Sequence, residues 1–265
     1  MADVNNIEGS RRMLVQALAQ ARASGRQVTD VERLFEINDE VAAFEIMVDV
    51  AESLAWTQSG WKIAATNARL QERLRTAGPV CGITFAQFHT LQPATLARRA
   101  LLDPVIECEF FFVIDQNLPP KMAPYTLDEV ASAVRDVRIG IEVAECRFPH
   151  KQLPAPLYVY ADGFASGRYI HGASVPDWHR RLQDGIDVTL IRNGKVHGRG
   201  SSRDVMNNPL HAVTWLANWL RKRSMGLRQD DIVSSGACNV LAAARTGDEF
   251  LAQFADVGDV AVEIR

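Results

Sequence analysis

One apolar run carries the most suggestive chemistry in this 265-residue chain. Asp103-Pro104-Val105-Ile106-Glu107-Cys108-Glu109-Phe110-Phe111-Phe112-Val113-Ile114 is rich in aromatic and branched residues, and its alternation predicts a strand over Val105–Ile114. Ile106, Cys108, Phe110, Phe112 and Ile114 fall on one face, suited to a core, while Glu107 and Glu109 share the other with Val105, Phe111 and Val113. Side chains two residues apart start about 7 Å from each other, so the two carboxylates can converge on one point. Like charges beside bulky apolar groups repel and lose hydration unless something positive compensates. An exposed strand face or an arginine partner would serve. A second apolar run, Ile139-Gly140-Ile141-Glu142-Val143-Ala144, adds a lone glutamate. Three carboxylates on buried strands, with no histidine or cysteine pattern among them, suit a hard divalent cation. Mg²⁺ or Mn²⁺ takes octahedral oxygen ligands and keeps waters for a substrate to displace. Spacing alone does not bring Glu142 to the pair.

Gly60-Trp61-Lys62-Ile63-Ala64-Ala65-Thr66 holds one lysine among apolar neighbours. Lys62 either snorkels to water or is a desolvated amine near substrate, a proton carrier or anion clamp. Asp162, in Tyr160-Ala161-Asp162-Gly163-Phe164, ends a candidate strand and is its partner, a residue that orients water, or an ordinary turn aspartate.

The elements that must position these residues fall into two parts. Residues 1–58 read as a helical section. Ser10 is a candidate cap for a helix with Leu14, Ala17, Leu18 and Ala21 on one face, ended by Gly25. Asn38 or Asp39 caps a second, with Val41, Phe44, Val48, Ala51 and Leu54 in a stripe. Residues 59–265 read as one catalytic unit. Its candidate strands are Trp61–Ala65, Val105–Ile114, Val137–Ala144, Leu157–Ala161, Ile186–Arg192, Ile232–Ser234, Glu249–Phe254 and Val260–Ile264. Asn193-Gly194 signals a hairpin. Asn208 and Pro209 start a helix with Leu210, Val213, Leu216 and Leu220 buried. The fold class is α+β: a mixed β-rich core with a helical N-terminal section and peripheral helices.

Composition supports a globular chain and little more. It is 47% hydrophobic and 23% charged, which excludes disorder. A net charge of -3 gives no whole-chain case for nucleic acid. No uncharged apolar stretch approaches the roughly 20 residues of a membrane span, and the first six residues lack the texture of a signal peptide. The four cysteines are widely spaced, with no zinc or disulfide framework. A cytoplasmic protein is expected.

The ordered motifs resemble the 2-keto-4-pentenoate hydratase and 2-oxo-3-hexenedioate decarboxylase family of the fumarylacetoacetate hydrolase superfamily. They are G-W-K-I-A-A-T at 60–66, P-V-I-E-C-E at 104–109, I-E-V-A-E-C-R at 141–147, A-D-G-F-A-S-G at 161–167, N-P-L-H-A-V-T-W-L-A at 208–217 and L-R-Q-D-D-I-V-S-S-G-A at 227–237. Gly247-Asp248-Glu249-Phe250 and Val257-Gly258-Asp259-Val260 complete the series. The resemblance runs from about residue 60 to the end and is weaker across the N-terminal helices. It implies the superfamily's β-rich catalytic fold and a small 2-oxo acid substrate handled through Mg²⁺ or Mn²⁺. It places Glu107, Glu109 and Glu142 as metal ligands, Lys62 and Asp162 as catalytic residues, and Ser166, Ser235 and Gly236 beside substrate. It also implies homo-oligomers, for which the sequence shows no interface.

Hydration of a 2-hydroxy-2,4-dienoate to a 4-hydroxy-2-oxo acid, in the breakdown of aromatic compounds, is the leading expectation. Decarboxylation of a 2-oxo-3-enedioate needs the same site, and a non-catalytic relative that binds a 2-oxo acid or serves as a partner subunit is the third reading. No histidine has a glutamate three residues later, so the water-activating dyad of the superfamily's C–C hydrolases is missing. Three departures from the family stand out. Asp162-Gly163-Phe164-Ala165-Ser166 replaces D-N-A-S, so the serine comes one residue late. Asn207 replaces a glycine after a longer 201–206 turn. An acidic residue common near Val80-Cys81 is absent.

Overall fold

The computed structural model describes residues 2–238 and 240–265; side chains are described from residue 8. Seven α-helices and thirteen strands alternate along the described chain. The helices are α1 (Ala2–Ser24), α2 (Glu40–Leu54), α3 (Ala68–Leu74), α4 (Leu127–Ser132), α5 (Pro156–Ala161), α6 (Trp178–Asp184) and α7 (Pro209–Arg221). The strands are β1 (Gln58–Ala64), β2 (Val80–Phe85), β3 (His89–Leu91), β4 (Ala94–Leu96), β5 (Val105–Ile114), β6 (Val134–Ala144), β7 (Arg168–Ser174), β8 (Asp187–Arg192), β9 (Lys195–Ser201), β10 (Ile232–Ser234), β11 (Leu241–Ala243), β12 (Glu249–Phe254) and β13 (Gly258–Ile264).

An eight-stranded sheet runs β2-β1-β10-β5-β6-β7-β3, with β11 also pairing to β5, and a five-stranded sheet runs β4-β13-β12-β8-β9. Both are mixed: β1 pairs parallel to β10, and β10 antiparallel to β5. The alternation read in β5 holds, since Ile106, Cys108, Phe110, Phe112 and Ile114 are all fully buried. Together with Leu14, Leu18 and Ile46 from the N-terminal helices they lie in one apolar cluster that continues to Ile264. The β5–β6 register sets Glu107 opposite Glu142 and Glu109 opposite Gly140, supplying the juxtaposition that spacing could not.

Gly140 makes room for an aromatic ring. A Cβ there would fall 2.1 Å from Phe111 Cε2, and that ring meets Tyr169 edge-on at 5.9 Å. Gly140→Ala forces Phe111 aside and is expected to cost about 1–3 kcal/mol, the usual penalty of overpacking, measured by urea unfolding against wild type.

Helix starts follow their caps. Asp39 accepts from Ala42 N, and Asn208 from Leu210 N ahead of Pro209. The α7 face is as read, with Leu210, Val213, Leu216 and Leu220 buried. Three readings need correction. The buried face of α2 is Ala43, Phe44, Ile46, Met47 and Val50, whereas Val41 is 52% exposed. Residues 157–161, read as a strand, form α5 instead, because Pro156 at the first turn starts a helix. Tyr158 then donates its hydroxyl to Phe35 O (2.9 Å), and Tyr160 packs edge-on to Phe44. Tertiary contact outweighs the strand propensity of Tyr and Val. The N-terminal helix likewise begins at Ala2, so Ser10 lies within it and caps nothing. No helix among the described residues is long and apolar enough to cross a membrane.

Candidate metal centre and active site

Glu107, Glu109 and Glu142 each offer a carboxylate oxygen, and the three lie within 4.8 Å of one another. β5 supplies two of them and β6 the third, on the sheet face away from the Ile106–Ile114 core. Glu109 and Glu142 are fully buried and Glu107 is half-buried. Glu109 Oε2 accepts from Ser234 Oγ and from Gly236 N (3.1 Å). Glu142 Oε1 accepts from Tyr169 OH (3.1 Å) and Gly167 N (3.3 Å). The other oxygens, Glu109 Oε1 and Glu142 Oε2, are enclosed and accept no hydrogen bond. Lys62 Nζ lies 3.2 Å from Glu142 Oε2, within ion-pair reach but without hydrogen-bond alignment.

Buried carboxylate oxygens without donors are costly. Three converging carboxylates with two such oxygens fit a divalent cation of the hard, oxygen-seeking kind. The charges also balance: three carboxylates, one ammonium and one divalent cation sum to zero.

Burial, with repulsion from the neighbouring glutamates, holds the Glu109 carboxyl well above the usual carboxylate range. Burial pushes Glu142 up to about 7, against the opposing pull of Lys62. Burial alone would lower Lys62, but Glu142, Glu107 and Glu109 reverse this and raise it. A cation must therefore displace protons below neutrality. The apparent affinity for Mg²⁺ or Mn²⁺ is expected to weaken by up to about tenfold per pH unit for each displaced proton as pH falls below about 7. Calorimetric titrations between pH 5.5 and 8 measure this; an affinity flat across that range contradicts it.

Lys62 and Glu107 line a cavity of about 190 Å³, walled mainly by apolar side chains such as Leu70, Leu74, Val105, Val159, Phe164 and Leu241. Arg73, Asp103 and His150 also reach it. Phe164, from the altered 162–166 segment, is one of the side chains on this wall. Gly163, Phe164 and Ala165 all have positive φ (77°, 48° and 59°), and this tight turn aims Phe164 O at Lys62 Nζ, 3.1 Å away.

Three residues read beside substrate or as catalytic, Asp162, Ser166 and Ser235, do not line the cavity, whereas Gly236 N reaches Glu109. Asp162 does not reach Lys62, whose acidic partner is Glu142. It caps the C-terminal end of α5 and is gripped by Arg22 Nε (3.2 Å) and Arg147 Nε (2.7 Å), all three side chains being buried. Ser166 is also off the cavity wall: its Oγ donates to Ile83 O (2.9 Å) and contacts Tyr169 OH (3.0 Å), so it steadies the tyrosine that holds Glu142. Ser235 turns toward β5, where its Oγ accepts from Phe110 N (3.3 Å). Gly236 is needed for its backbone: φ is +101°, and a Cβ would meet Thr66 Oγ1 at 2.8 Å.

Ser234 and Tyr169, which touch the carboxylates directly, were not singled out from the sequence. Arg168-Tyr169-Ile170-His171 alternates like a strand, and that signal would have placed Tyr169 and His171 on one face. His171 is a hydrogen-bonded core histidine, its Nε2 2.8 Å from His89 Nδ1. Burial lowers its pKa to about 4 and, with the charge of His171, that of His89 to about 3.

No family model matches the chain. It is 28% identical over 261 residues to the 2-keto-4-pentenoate hydratase of Paraburkholderia xenovorans (strain LB400), covering 96% of this chain and 94% of that one. It is 24% identical over 256 residues to the 2-oxo-hept-4-ene-1,7-dioate hydratase of Escherichia coli, covering 94% and 95%. Among solved structures, 4-oxalocrotonate decarboxylase from Pseudomonas putida G7, complexed with magnesium and adipate, superposes with a TM-score of 0.86. It is 20% identical and covers 96% of this chain and 98% of that one. The relatives its motifs pointed to are thus those its whole length matches: the chain is a homologue of the 2-keto-4-pentenoate hydratases and has the fold of the fumarylacetoacetate hydrolase family.

Proposed function

We propose that the protein is a divalent-metal-dependent lyase that hydrates a 2-hydroxy-2,4-dienoate to a 4-hydroxy-2-oxo acid. The observation that carries this reading is the three-glutamate cluster with two donor-less oxygens, beside a buried lysine, at one wall of an apolar cavity. Homology to named hydratases supplies the reaction class. Mg²⁺ or Mn²⁺ held by Glu107, Glu109 and Glu142 would supply Lewis-acid stabilisation of negative charge on a bound 2-oxo acid.

The chain's own groups do the rest. Lys62, kept charged by three neighbouring carboxylates, is positioned to give a proton to the extended enol as it becomes the ketone. Phe164 O and Glu142 fix its ammonium from two sides. Tyr169 OH and Gly167 N hold Glu142 in place, and Ser234 and Gly236 do the same for Glu109. The apolar walls cover the carbon chain and limit water to the reacting end. Arg22 and Arg147 occupy Asp162, so it serves as a positioning residue for the 162–169 segment.

Decarboxylation of a 2-oxo-3-enedioate is the second reading, and one observation favours it. Among the described residues, the only acid on the cavity wall besides Glu107 is Asp103, and its Oδ2 already accepts from Gln27 Nε2 (2.9 Å) and His150 N (3.3 Å), so no carboxylate outside the cluster faces the cavity free of hydrogen bonds. The four cysteines are free and buried, in keeping with a reducing, cytoplasmic setting.

The test is a panel of 2-hydroxy-2,4-dienoates and 2-oxo-3-enedioates with added Mg²⁺ or Mn²⁺. Loss of ultraviolet absorbance without CO₂ indicates hydration, and CO₂ release indicates decarboxylation. Metal-loaded protein that turns over none of them refutes the lyase reading and leaves a binding relative.

A further inference from the structure

The active cavity shares part of its wall with a neighbouring pocket. Along Leu70, Arg73 and Leu241 it meets a second pocket of about 270 Å³, whose remaining walls are Arg69, His197, Gly198, Arg199 and Val240. Arg69 and Arg73 are one turn apart on α3 and so share a helix face. His197 and Arg199 are two apart on β9 and so share a strand face. Among the described residues no carboxylate lines this pocket. Among the described residues none of its three arginines takes part in an ion pair: Arg199 donates only to Thr189 Oγ1 (3.1 Å).

That concentration stands out on a chain whose net charge is -3. The arginines around Asp162 and Glu145, by contrast, are matched: Arg22 and Arg147 grip Asp162, and Arg168 lies 3.2 Å from Glu145. Within the cavity itself, Lys62 is committed to Glu142. Arg73 is therefore the cation on the cavity wall that has no anion of its own.

A planar guanidinium without a partner, at the edge of an apolar cavity, is suited to receive a carboxylate through two parallel hydrogen bonds. The glutamate cluster and Lys62 already account for the 2-oxo acid head under the proposed function, on which this inference rests. We infer that the substrate is a dicarboxylate, its second carboxylate at the end remote from the 2-oxo group and received by Arg73, with Arg69, His197 and Arg199 supplying the surrounding positive field. The apolar wall between Glu107 and Arg73 then covers the carbon chain joining the two charged ends. A dicarboxylate also gains most from focusing by an acid-free basic pocket.

Turnover and binding are tested separately. In the first arm, kcat/KM with Mg²⁺ is compared for 2-hydroxypenta-2,4-dienoate and for its diacid counterpart 2-hydroxyhepta-2,4-diene-1,7-dioate, in wild type, Arg73→Gln and Arg199→Gln. The wild type should favour the diacid, and Arg73→Gln should cut diacid kcat/KM by about 10- to 100-fold, mainly through KM. The monoacid should change less than about twofold, as expected for a substrate with nothing at that end. Wild-type preference for the monoacid overturns the inference. So does an equal fall for both substrates that disappears at high salt, the mark of steering alone.

The second arm uses unreactive saturated probes, 2-oxoadipate and 2-oxopentanoate, and reads the Mg²⁺-dependent rise in melting temperature. A larger rise with the diacid, lost in Arg73→Gln, supports the inference; equal rises overturn it. A diacid-specific rise in a protein that turns over no substrate refutes the lyase reading while upholding the second-carboxylate site.

Discussion

Glu107→Ala is expected to abolish turnover and, with it, the rise in melting temperature on adding Mg²⁺ or Mn²⁺. Lewis-acid stabilisation of developing charge is worth several kcal/mol, so the loss should be at least about 10³-fold in kcat. Glu107 is the informative ligand because it is half-buried and no hydrogen bond depends on it, whereas Glu109 and Glu142 are enclosed and hydrogen-bonded. Its removal also relieves repulsion on the other two carboxylates, since Glu107 helps to raise both. The metal-free variant should therefore melt no lower than metal-free wild type. The metal-dependent increment, about 2.7 kcal/mol at a hundredfold excess over Kd, should vanish. Full turnover by the variant after chelation would end the metal-centred account.

Asp162→Asn should unfold the protein more readily before it says anything about catalysis. The carboxylate is 1% exposed between two guanidiniums that are themselves 6% and 5% exposed. Burial and the proximity of Arg147 already lower the Arg22 pKa to about 10. Removing the one anion leaves two buried cations facing each other, a change that costs about 3–5 kcal/mol. Urea unfolding without metal reads this directly. An unchanged midpoint with collapsed turnover would instead return Asp162 to the catalytic role implied by family resemblance.

The metal centre was legible in the sequence because strand chemistry has a short period. Alternating residues in Val105–Ile114 fix which side chains share a face, and Glu107 and Glu109 stand out among aromatic neighbours. Glu142 could be proposed from its lone charge in an apolar run, but its meeting with Glu107 depends on the β5–β6 register across a 19-residue connection. Residues that act through backbone direction were harder to read. Ser234 and Ser235 are adjacent and chemically identical. Only the pairing of Ser234 with Phe111, in a strand of three residues, decides which hydroxyl meets Glu109. The 157–161 segment misled because Tyr and Val favour strands where packing is equal, and here it is not: α5 sits against α2. Asn207, which replaces a glycine of the family pattern, takes a positive φ of 66°, as asparagine can. The consecutive left-handed residues at Phe164 and Ala165 had no residue-type signal, since neither is glycine or asparagine.

The Arg22–Asp162 contact joins the two ends of the design. Arg22 belongs to the first helix, yet its guanidinium anchors the start of a segment whose next turn presents Phe164 O to Lys62 and Gly167 N to Glu142. Residues 1–58 are therefore poor material for modular exchange. A chimera that grafts the helical section of a relative onto this core must carry an arginine at that helix position, or it will inherit an intact cavity whose lysine and third carboxylate are no longer held in register.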